Sequence, residues 1–471
     1  MVFSSSIFLF IFLPIAILGY FLLHPRYRNP FLLIASLLFY AWGEPKFVLI
    51  MLFSIVINWM TAWAISKMEK HTGLRKVVLI FAVAMNLSIL FVFKYLNFAV
   101  ANINKIVNIL PQTNIALPIG ISFFTFQGLS YVVDVYRKKV SAQKNLLNVG
   151  LYISFFPQLI AGPIVRYETI AAEITDRTTT WDDFCIGVER FLRGLFKKVI
   201  LANNLALLAD SAFGKTGEQL TVLMAWMGAL AYTFQIFFDF SGYSEMAIGL
   251  GRIFGFHFDE NFNYPYISKS VTEFWRRWHM SLGTWFRDYV YFPLGGSRVA
   301  TVKRHIFNLF VVWLLTGIWH GAGWNFIAWG MLSFVMLVLE KFVVHPEKFK
   351  KNIGLANVWR VVTLLVIVLG WVLFRSTTLQ GGVDYYRSML GVGVPFVNTD
   401  TWISLKENYV VLVIACLCCT PVFKWLKEKV DQTKLAVSAD ILKVVVYLAL
   451  LAFSVSYLVM GAHNPFIYFN F

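Results

Sequence analysis

Residues 305–344 read HIFNLFVVWLLTGIWHGAGWNFIAWGMLSFVMLVLEKFVV, and this stretch decides the fold class. It contains two apolar runs, 305–320 and 324–344, with a short glycine-rich break between them. A helix needs about 20 mostly apolar residues to cross the hydrocarbon core of a bilayer, and the second run meets that length. His320 ends the first run. The stretch therefore predicts membrane helices with an ionisable side chain where they meet.

Apolar runs of this kind recur along the whole chain. They predict an all-α, polytopic integral membrane protein with about 11–13 membrane elements, some of them re-entrant or interfacial. The first run has no basic residue before it and no small-residue cleavage site, so we expect it to be a retained span. We expect one membrane domain over 1–471, with N-terminal spans (1–145), a catalytic core (146–345) and C-terminal spans (346–471). The long candidate runs are 5–23, 47–66, 77–97, 115–136, 220–238, 324–344, 357–374, 407–425 and 440–460, and the shorter ones are 31–43, 146–165, 183–209 and 305–320.

The composition agrees with a membrane protein. The chain is 58% hydrophobic and 14% charged, whereas soluble domains carry about 25% charged residues. The formal charge of +16 comes from short basic clusters between apolar runs, a pattern typical of cytoplasmic loops, so we expect no nucleic-acid partner. Placing these clusters in the cytoplasm puts the N-terminus outside. The clusters are Arg26 and Arg28; Lys67, Lys70, Arg75 and Lys76; and Arg137, Lys138 and Lys139.

The four cysteines do not indicate a metal site. Cys416, Cys418 and Cys419 lie in one apolar segment without a histidine at ligand spacing. We therefore expect no bound metal.

Residues 239–304 are too polar for plain spans and too aromatic for a solvated loop. Such a segment is tolerated at membrane depth where it is buried in protein or lines a cavity, so it indicates a site. Asp239 and Glu245 lie at its start. Two interpretations stay open for them: a buried network with an arginine such as Arg252, or the polar lining of a tunnel.

Within this segment, Ser270 and Glu273 match a capping box and predict the start of a helix. Projected at helical spacing, Trp275, Trp278, Leu282, Trp285 and Tyr289 form one stripe, which predicts an interfacial helix with its aromatic side in the membrane. Arg276, Arg277 and Arg287 lie on the opposite side and suit an anionic group such as a pyrophosphate, because guanidinium pairs bidentately with phosphate oxygens. His279 projects between the two faces. It either packs there or lines an opening for a polar ligand.

His320 is the main catalytic candidate. An ionisable side chain within a membrane segment is costly and is functional by default. Imidazole can accept and return a proton near neutral pH, which general acid–base catalysis requires. Trp319 and Asn325 flank it and are candidate substrate-binding residues. Gly317, Gly321 and Gly323 either open space around the imidazole or let two helices approach closely.

Several other classes of enzyme lack their motifs in this sequence. It has no G-x-S-x-G nucleophile elbow, no Walker loop, no dinucleotide-binding G-x-G-x-x-G and no H-E-x-x-H. What remains is two histidines in an aromatic, glycine-rich membrane setting.

The sequence resembles the membrane-bound O-acyltransferase family, in its bacterial alginate O-acetyltransferase branch. The resemblance runs over nearly the whole chain, from FSSSIFLFIFLP to NPFIYFNF. Its most specific stretches are LPIGISFFTFQGLSYVVDVYR, FFPQLIAGPIVRY, DFSGYSEMAIGLGRIFGFHF, NFNYPYISKSVTEFWRRWHMSLGTWFRDYVYFPLGGSR and WHGAGWNFIAWG.

The resemblance implies a set of spans and re-entrant elements around a central tunnel, with His320 as the catalytic histidine and His279 as the second conserved polar position. It also implies acetyl transfer from cytoplasmic acetyl-CoA, with no bound cofactor, to an extracytoplasmic polysaccharide such as alginate, in a bacterial inner membrane. Membrane lipids surround the protein, and a separate SGNH-type acetyltransferase is the implied partner. His320 then acts as a general base, or as a nucleophile that carries the acetyl group.

Three alternatives to this function stay open. The related branch that transfers D-alanine to teichoic acids shares the two histidines. Outside enzymes, the chain could be a lipid or polysaccharide flippase, or a scaffold of a secretion complex. The acceptor polymer is also open among alginate, cellulose, peptidoglycan and other exopolysaccharides.

Overall fold

The computed structural model describes residues 1–433, 435–461 and 463–467. All regular secondary structure in these residues is helical. The chain contains two compact units. The first unit comprises Met1–Phe191 and Tyr243–Glu260, and the second comprises Leu192–Gly242 and Asn261–Phe471.

The first unit is built from helices that begin near the N-terminus and from the end of a long helix in the middle of the chain. Its α-helices are α1 (Leu13–Leu22), α2 (Pro25–Gly43), α3 (Val48–Lys67), α4 (Thr72–Leu90), α5 (Leu96–Asn104), α6 (Ile121–Tyr136), α7 (Leu146–Ser154), α8 (Phe156–Leu159), α9 (Tyr167–Thr175) and most of α10 (Trp181–Phe196). Phe8–Phe12 and Phe91–Tyr95 are π-helical.

The second unit contains the remaining helices. They are α11 (Asn203–Phe213), the first part of α12 (Val222–Ile253), α13 (Val271–Arg277), α14 (Met280–Phe286), α15 (Val302–His320), α16 (Trp324–Leu339), α17 (Ile353–Arg375), α18 (Leu379–Met389), α19 (Thr399–Cys418), α20 (Val422–Val430) and α21 (Ala436–Val459). Lys197–Ala202, Arg287–Tyr291 and Glu340–Val344 are π-helical, and Gly217–Gln219, Pro265–Ile267 and Pro346–Lys351 are short 3₁₀ helices.

Seven helices in the described part of the chain are long and apolar enough to cross a membrane. This confirms the predicted all-α, polytopic membrane fold. Other predicted elements form shorter helices: the run 115–136 yields α6, which has 16 residues and begins only after Gly120. Nearly all of α6 is buried inside its unit, so this apolar sequence packs against protein. The seven candidate spans are Val48–Lys67, Thr72–Asn104, Val222–Ile253, Trp324–Val344, Ile353–Arg375, Thr399–Cys418 and Ala436–Val459.

The prediction of one continuous interfacial helix from Ser270 to Tyr289 is wrong. The capping box at its start is present: Ser270 Oγ accepts from the Glu273 N–H at 3.1 Å. The helix ends at Arg277, however, and a second one begins at Met280. His279 between them has a left-handed backbone (φ 43°), which no α-helix can accommodate. The aromatic residues of the predicted stripe therefore do not share one helix.

The core of the second unit is rich in tryptophan. The Trp275 ring lies 5.0 Å from Trp313 and 5.4 Å from Trp329, and the Trp278 ring lies 4.7 Å from Trp371, measured between centroids. Aromatic pairs at these separations stabilise a core beyond their buried area. This cluster joins α13, α15, α16 and α17, and it holds the region around His320 in place.

Candidate active site

His320 is the last residue of α15, and its side chain is buried. Its imidazole meets the rings of Trp319, Trp329 and Phe374 edge to face, with centroids 4.9, 4.9 and 5.1 Å away. These rings come from three successive helices, α15, α16 and α17. They fix the orientation of the imidazole, which an acid–base group needs for catalysis.

The imidazole faces a cavity inside the second unit. The space enclosed by its lining side chains is small, about 10 Å³, which is room for one water-sized group. Two of the lining side chains are ionisable, His320 and Asp239, and the rest are aromatic or aliphatic. The lining residues are Ile236, Asp239, Phe240, Trp278, His320, Trp371, Phe374 and Ile467.

His279 lies at the break between α13 and α14 and is buried. Asn261 organises this break: its carbonyl oxygen accepts from the Met280 N–H at 2.9 Å, and its Oδ1 accepts from the Ser281 hydroxyl at 2.9 Å. Asn261 Oδ1 also lies 3.1 Å from His279 Nδ1. An amide oxygen can only accept, so this contact assigns the imidazole proton to Nδ1 and the lone pair of the neutral ring to Nε2.

Trp319 connects the two histidines. Its ring centroid lies 4.9 Å from that of His320 and 6.1 Å from that of His279. Phe240, a lining residue of the cavity, also contacts His279 edge to face at 4.5 Å. The structure therefore brings His279, Trp319 and His320 into one cluster, although the two histidines are 41 positions apart in the sequence.

Asp239 is engaged by two partners inside the same unit. Its Oδ1 lies 2.6 Å from Lys198 Nζ, and its Oδ2 accepts from the Ile467 N–H at 2.9 Å. The side chains of Asp239 and Lys198 are each only 3% exposed. Since Lys198 neutralises this carboxylate, His320 is the better placed proton acceptor in the cavity.

The segment His463–Ile467 lies along α11 and α12 and ends at the cavity. Lys198 Nζ donates to the Pro465 carbonyl, and Asn203 Nδ2 donates to Asn464 Oδ1 at 3.1 Å. Ile467 then supplies an aliphatic side chain to the lining. Lys198 lies within the apolar run 183–209 and is not among the site residues predicted from the sequence.

Glu340 is a buried carboxylate in the span Trp324–Val344. It accepts from the backbone N–H groups of Val271 and Thr272, each at 2.7 Å, from the Thr272 hydroxyl at 2.6 Å, and from Trp359 Nε1 at 3.0 Å. It therefore caps the start of α13, the helix that leads to Trp278 and His279. An acidic residue within an apolar span was a signal for such a role that sequence analysis did not use.

The glycines near His320 allow two helices to approach. A Cβ at Gly317 would lie 2.7 Å from the Phe326 carbonyl oxygen, and one at Gly330 would lie 2.6 Å from that of Trp313. A Cβ at Gly321 would collide with the Phe326 ring. Close packing of α15 on α16 accounts for these residues, and that packing brings Trp329 against His320.

The three candidate phosphate-binding arginines lie in different settings. Arg277 is held by Glu273 at 2.8 Å and donates to the Asn263 carbonyl, so it stabilises the local fold. Arg287 is half-exposed and pairs with Asp288 at 2.9 Å. Arg276 is exposed and forms no ion pair among the described residues. Of the three, Arg276 is the most accessible to an anion.

Two further candidates lie away from the cavity lining. Asn325 is buried and donates to the Ser376 carbonyl at 2.8 Å, which ties the start of α16 to the end of α17. Glu245 lies in the first unit and pairs with Arg190 at 2.8 Å, while Arg252 pairs with Asp183. Glu245 thus has an arginine partner, as one of its two interpretations predicts, but the partner is Arg190 and not Arg252.

Comparisons with known proteins place the chain in a family. Residues 35–380 match the membrane-bound O-acyltransferase family. The chain is 44% identical to a probable alginate O-acetylase of Pseudomonas aeruginosa, over 83% of this chain and 75% of that protein. It is 38% identical to a probable alginate O-acetylase of Pseudomonas putida over the full length of both. A peptidoglycan O-acetyltransferase of Helicobacter pylori is 36% identical over 83% of this chain and 80% of its own length.

The chain belongs to the membrane-bound O-acyltransferase family. It is a multi-pass membrane enzyme that transfers an acyl group to an oxygen acceptor. The relatives named above are O-acetyl-transferring proteins of bacteria.

Proposed function

We propose that the protein moves an acetyl group from cytoplasmic acetyl-CoA across the bacterial inner membrane for O-acetylation of an extracytoplasmic polysaccharide such as alginate. The names of the relatives in Pseudomonas support alginate as the polymer. The observation that carries the chemistry is the buried His320 imidazole, which faces a cavity whose carboxylate is already neutralised by Lys198.

In the proposed reaction the acceptor hydroxyl oxygen attacks the thioester carbonyl carbon. His320 takes the hydroxyl proton, and the C–S bond breaks as the C–O bond forms. The leaving thiolate then receives the proton from the His320 imidazolium, which yields CoA and the acetyl ester. A positioned general base contributes about 10²–10⁴ in rate. His279 orients the acceptor or shares the proton, with its neutral ring held by Asn261.

The cavity suits a small acyl group better than a polymer. Its aromatic walls, Trp278, Trp371 and Phe374, cannot hydrate the charges of a polysaccharide such as alginate, and burial of an uncompensated charge costs several kcal/mol. We therefore propose that the chain passes the acetyl group to a slender acceptor, supplied by an SGNH-type extracytoplasmic acetyltransferase. That partner would then acetylate the polymer.

The test is acetyl transfer by the purified protein in liposomes with radiolabelled acetyl-CoA inside. His320→Ala should remove transfer to below about 1% of wild type. His305→Gln is the matched control, because His305 lies on the same helix, is equally buried, and does not line the cavity. Near-normal transfer by His320→Ala would refute the catalytic assignment, and transport without ester formation would favour a flippase.

Three further measurements separate the alternatives. A stable radiolabelled adduct on His320 after acid quench would favour the covalent route over general-base catalysis. Wild-type protein that ignores acetyl-CoA but accepts D-alanyl thioester would favour the teichoic acid branch. Ester formation on a polymer without any added protein would refute the requirement for a partner.

The donor site is tested at Arg276. Arg276→Glu should raise the KM for acetyl-CoA about tenfold with little change in kcat, since a guanidinium–phosphate pair would be lost. Arg287→Glu is the control, because Asp288 already pairs with Arg287. An unchanged KM in Arg276→Glu would place the donor phosphates elsewhere.

A further inference from the structure

Two arginines of the first unit lie against one buried tyrosine. The guanidinium carbon of Arg28 lies 4.8 Å from the centroid of the Tyr20 ring, and that of Arg177 lies 5.4 Å from it. Tyr20 is fully buried near the end of α1, and Arg28 lies in the first turns of α2. Two cations are thus concentrated at the point where the chain turns between its first two α-helices.

Arg177 is held rigidly. Its Nε donates to Tyr20 Oη at 3.1 Å and to the Phe254 carbonyl at 3.0 Å, and its Nη1 donates to Asn29 Oδ1 at 2.6 Å. Its Nη2 is buried without a hydrogen-bond partner. A buried donor left in this way is costly, so an acceptor that reached it would be stabilised.

Arg28 presents its donors differently. Its Nε is buried and without a hydrogen-bond partner, while its two terminal nitrogens are neither enclosed nor hydrogen-bonded in the described part of the chain. The terminal N–H groups of Arg28 can therefore reach a ligand, beside the fixed charge of Arg177.

The positive charge at this place is only partly offset by protein, through the carboxylate of Glu173 near Arg177. Neither guanidinium forms an ion pair with a carboxylate of the described residues. Glu173 uses both carboxylate oxygens to accept from the backbone and ring nitrogens of His257. Burial lowers the pKa of Arg177 and so does the charge of Arg28, while Tyr20 and Glu173 act in the opposite direction.

The helix that carries Arg28 adds to the positive field. The first turn of α2 has no acidic residue, although a helix N-terminus carries a partial positive charge and usually attracts acids. Two arginines and a helix N-terminus at one place repel each other, and an anion would relieve this repulsion.

The apolar neighbours of the two arginines indicate where the anion comes from. Rings in mutual contact lead outward from Tyr20 through Phe21 and Phe184 to Trp181, with centroids 5.2, 5.8 and 5.3 Å apart. Trp181 is 75% exposed and Leu22 is 82% exposed. Exposed tryptophan is typical of the zone where lipid headgroups meet acyl chains.

We propose that Arg28 and Arg177 bind the phosphate of a membrane phospholipid, whose glycerol and acyl chains lie along Phe21, Phe184 and Trp181. The terminal N–H groups of Arg28 donate to the phosphate oxygens, as guanidinium does in bidentate phosphate pairs. Arg177 supplies the second charge. An inorganic phosphate ion could bind the same two arginines, but it would leave the rings of Phe21, Phe184 and Trp181 uncovered.

The experiment uses the full chain in detergent with added phosphatidylglycerol, and native mass spectrometry counts the retained lipid. Arg28→Gln should weaken retention about tenfold. This variant should fold, because the recorded contact of the Arg28 side chain is with the surface of one ring, and the unfolding temperature checks it. Arg26→Gln is the matched control: Arg26 lies in the same helical turn and is exposed, and its side chain contacts only its neighbour Tyr27 among the described residues. Arg28→Lys keeps the charge and should retain lipid better than Arg28→Gln.

Equal retention by Arg28→Gln and wild type would overturn the proposal. An equal loss of retained lipid in Arg26→Gln would also overturn the proposal, because lipid retention would then depend on the general positive charge of the surface and not on Arg28. A competition arm distinguishes the sources of phosphate. Millimolar sodium pyrophosphate should leave the lipid in place, and displacement of the lipid by pyrophosphate would overturn the assignment to a phospholipid.

Discussion

The carboxylate of Asp239 accepts a hydrogen bond from the backbone N–H of Ile467, 2.9 Å away, and both residues line the cavity that holds His320. The wall of the cavity thus combines a helix from the middle of the chain with a segment 228 positions later. Lys198 binds both parts, since its ammonium pairs with Asp239 and donates to the Pro465 carbonyl. The shape of the cavity therefore depends on this ion pair.

Asp239→Asn should destabilise the second unit strongly. The change leaves the buried Lys198 ammonium without its countercharge, and loss of one partner of a buried pair costs about 3–5 kcal/mol. Unfolding in detergent micelles, followed by tryptophan fluorescence, measures the effect. The double variant Lys198→Met with Asp239→Leu should recover much of the loss, because it removes both charges. Asp384→Asn is the control, since its pair with Arg387 is exposed and should contribute less than about 1 kcal/mol. Equal effects of Asp239→Asn and Asp384→Asn would contradict this prediction.

Ile467→Ala should change which acyl groups the enzyme accepts. The substitution removes three carbons from the cavity wall and makes room for a longer acyl chain. One methylene in an apolar pocket discriminates by about 10-fold or more, so the ratio of propionyl to acetyl transfer should rise by about that factor. Competition between propionyl-CoA and acetyl-CoA gives the ratio. Val437→Ala, at an exposed aliphatic residue, should leave the ratio unchanged. An unaltered ratio in Ile467→Ala would mean that the acyl group binds away from this wall.

Asn261→Ala and His279→Ala should slow the reaction through one shared cause. Asn261 holds the ring of His279 and the start of α14, so loss of either should disturb the same geometry. We expect each single variant to lower kcat about tenfold or more, and the double variant to lower it little further, since groups acting as a unit are not additive. Asn408→Ala, whose amide bonds within its own helix α19, is the control. Fully multiplicative effects in the double variant would show that the two residues act separately.

Glu340→Gln should destabilise α13 and lower activity together. In this variant an NH₂ group replaces one carboxylate oxygen. It would face either the N–H and hydroxyl donors of Thr272 or the N–H donors of Val271 and Trp359, and these donors would lose their acceptor. An unsatisfied buried group costs about 1–3 kcal/mol. The helix α13 has only seven residues, so the loss of the cap at its start should also shift Trp278 and His279, which follow its end. Thermal unfolding and kcat are measured on the same sample. Glu347→Gln, at an exposed acid, is the control and should change stability by less than about 0.5 kcal/mol. A stable Glu340→Gln variant with normal kcat would show that this cap does not position the site.

The membrane fold and the main catalytic candidate could be predicted from the sequence. Apolar runs of spanning length give helices in any bilayer protein, because lipid offers no partner to an unpaired backbone group. His320 was predicted because an ionisable side chain beside an apolar span is costly enough to need a reason. Both inferences depend on local sequence, and the structure and the comparisons bear out the membrane fold and the family.

The partners of these residues were decided by the tertiary structure. Helical projection placed Trp275 through Tyr289 on one face, but Asn261, 18 positions before His279, stabilises a break that no periodicity shows. Lys198, Asp239 and Ile467 meet across 269 positions, and Glu340 caps a helix 68 positions earlier. The sequence by itself determined the all-helical membrane fold and the position of His320 at the end of an apolar run. Which of those groups neutralise one another, and which remains for chemistry, was decided only by folding, because buried polar groups select their partners by proximity in space and not by distance along the chain.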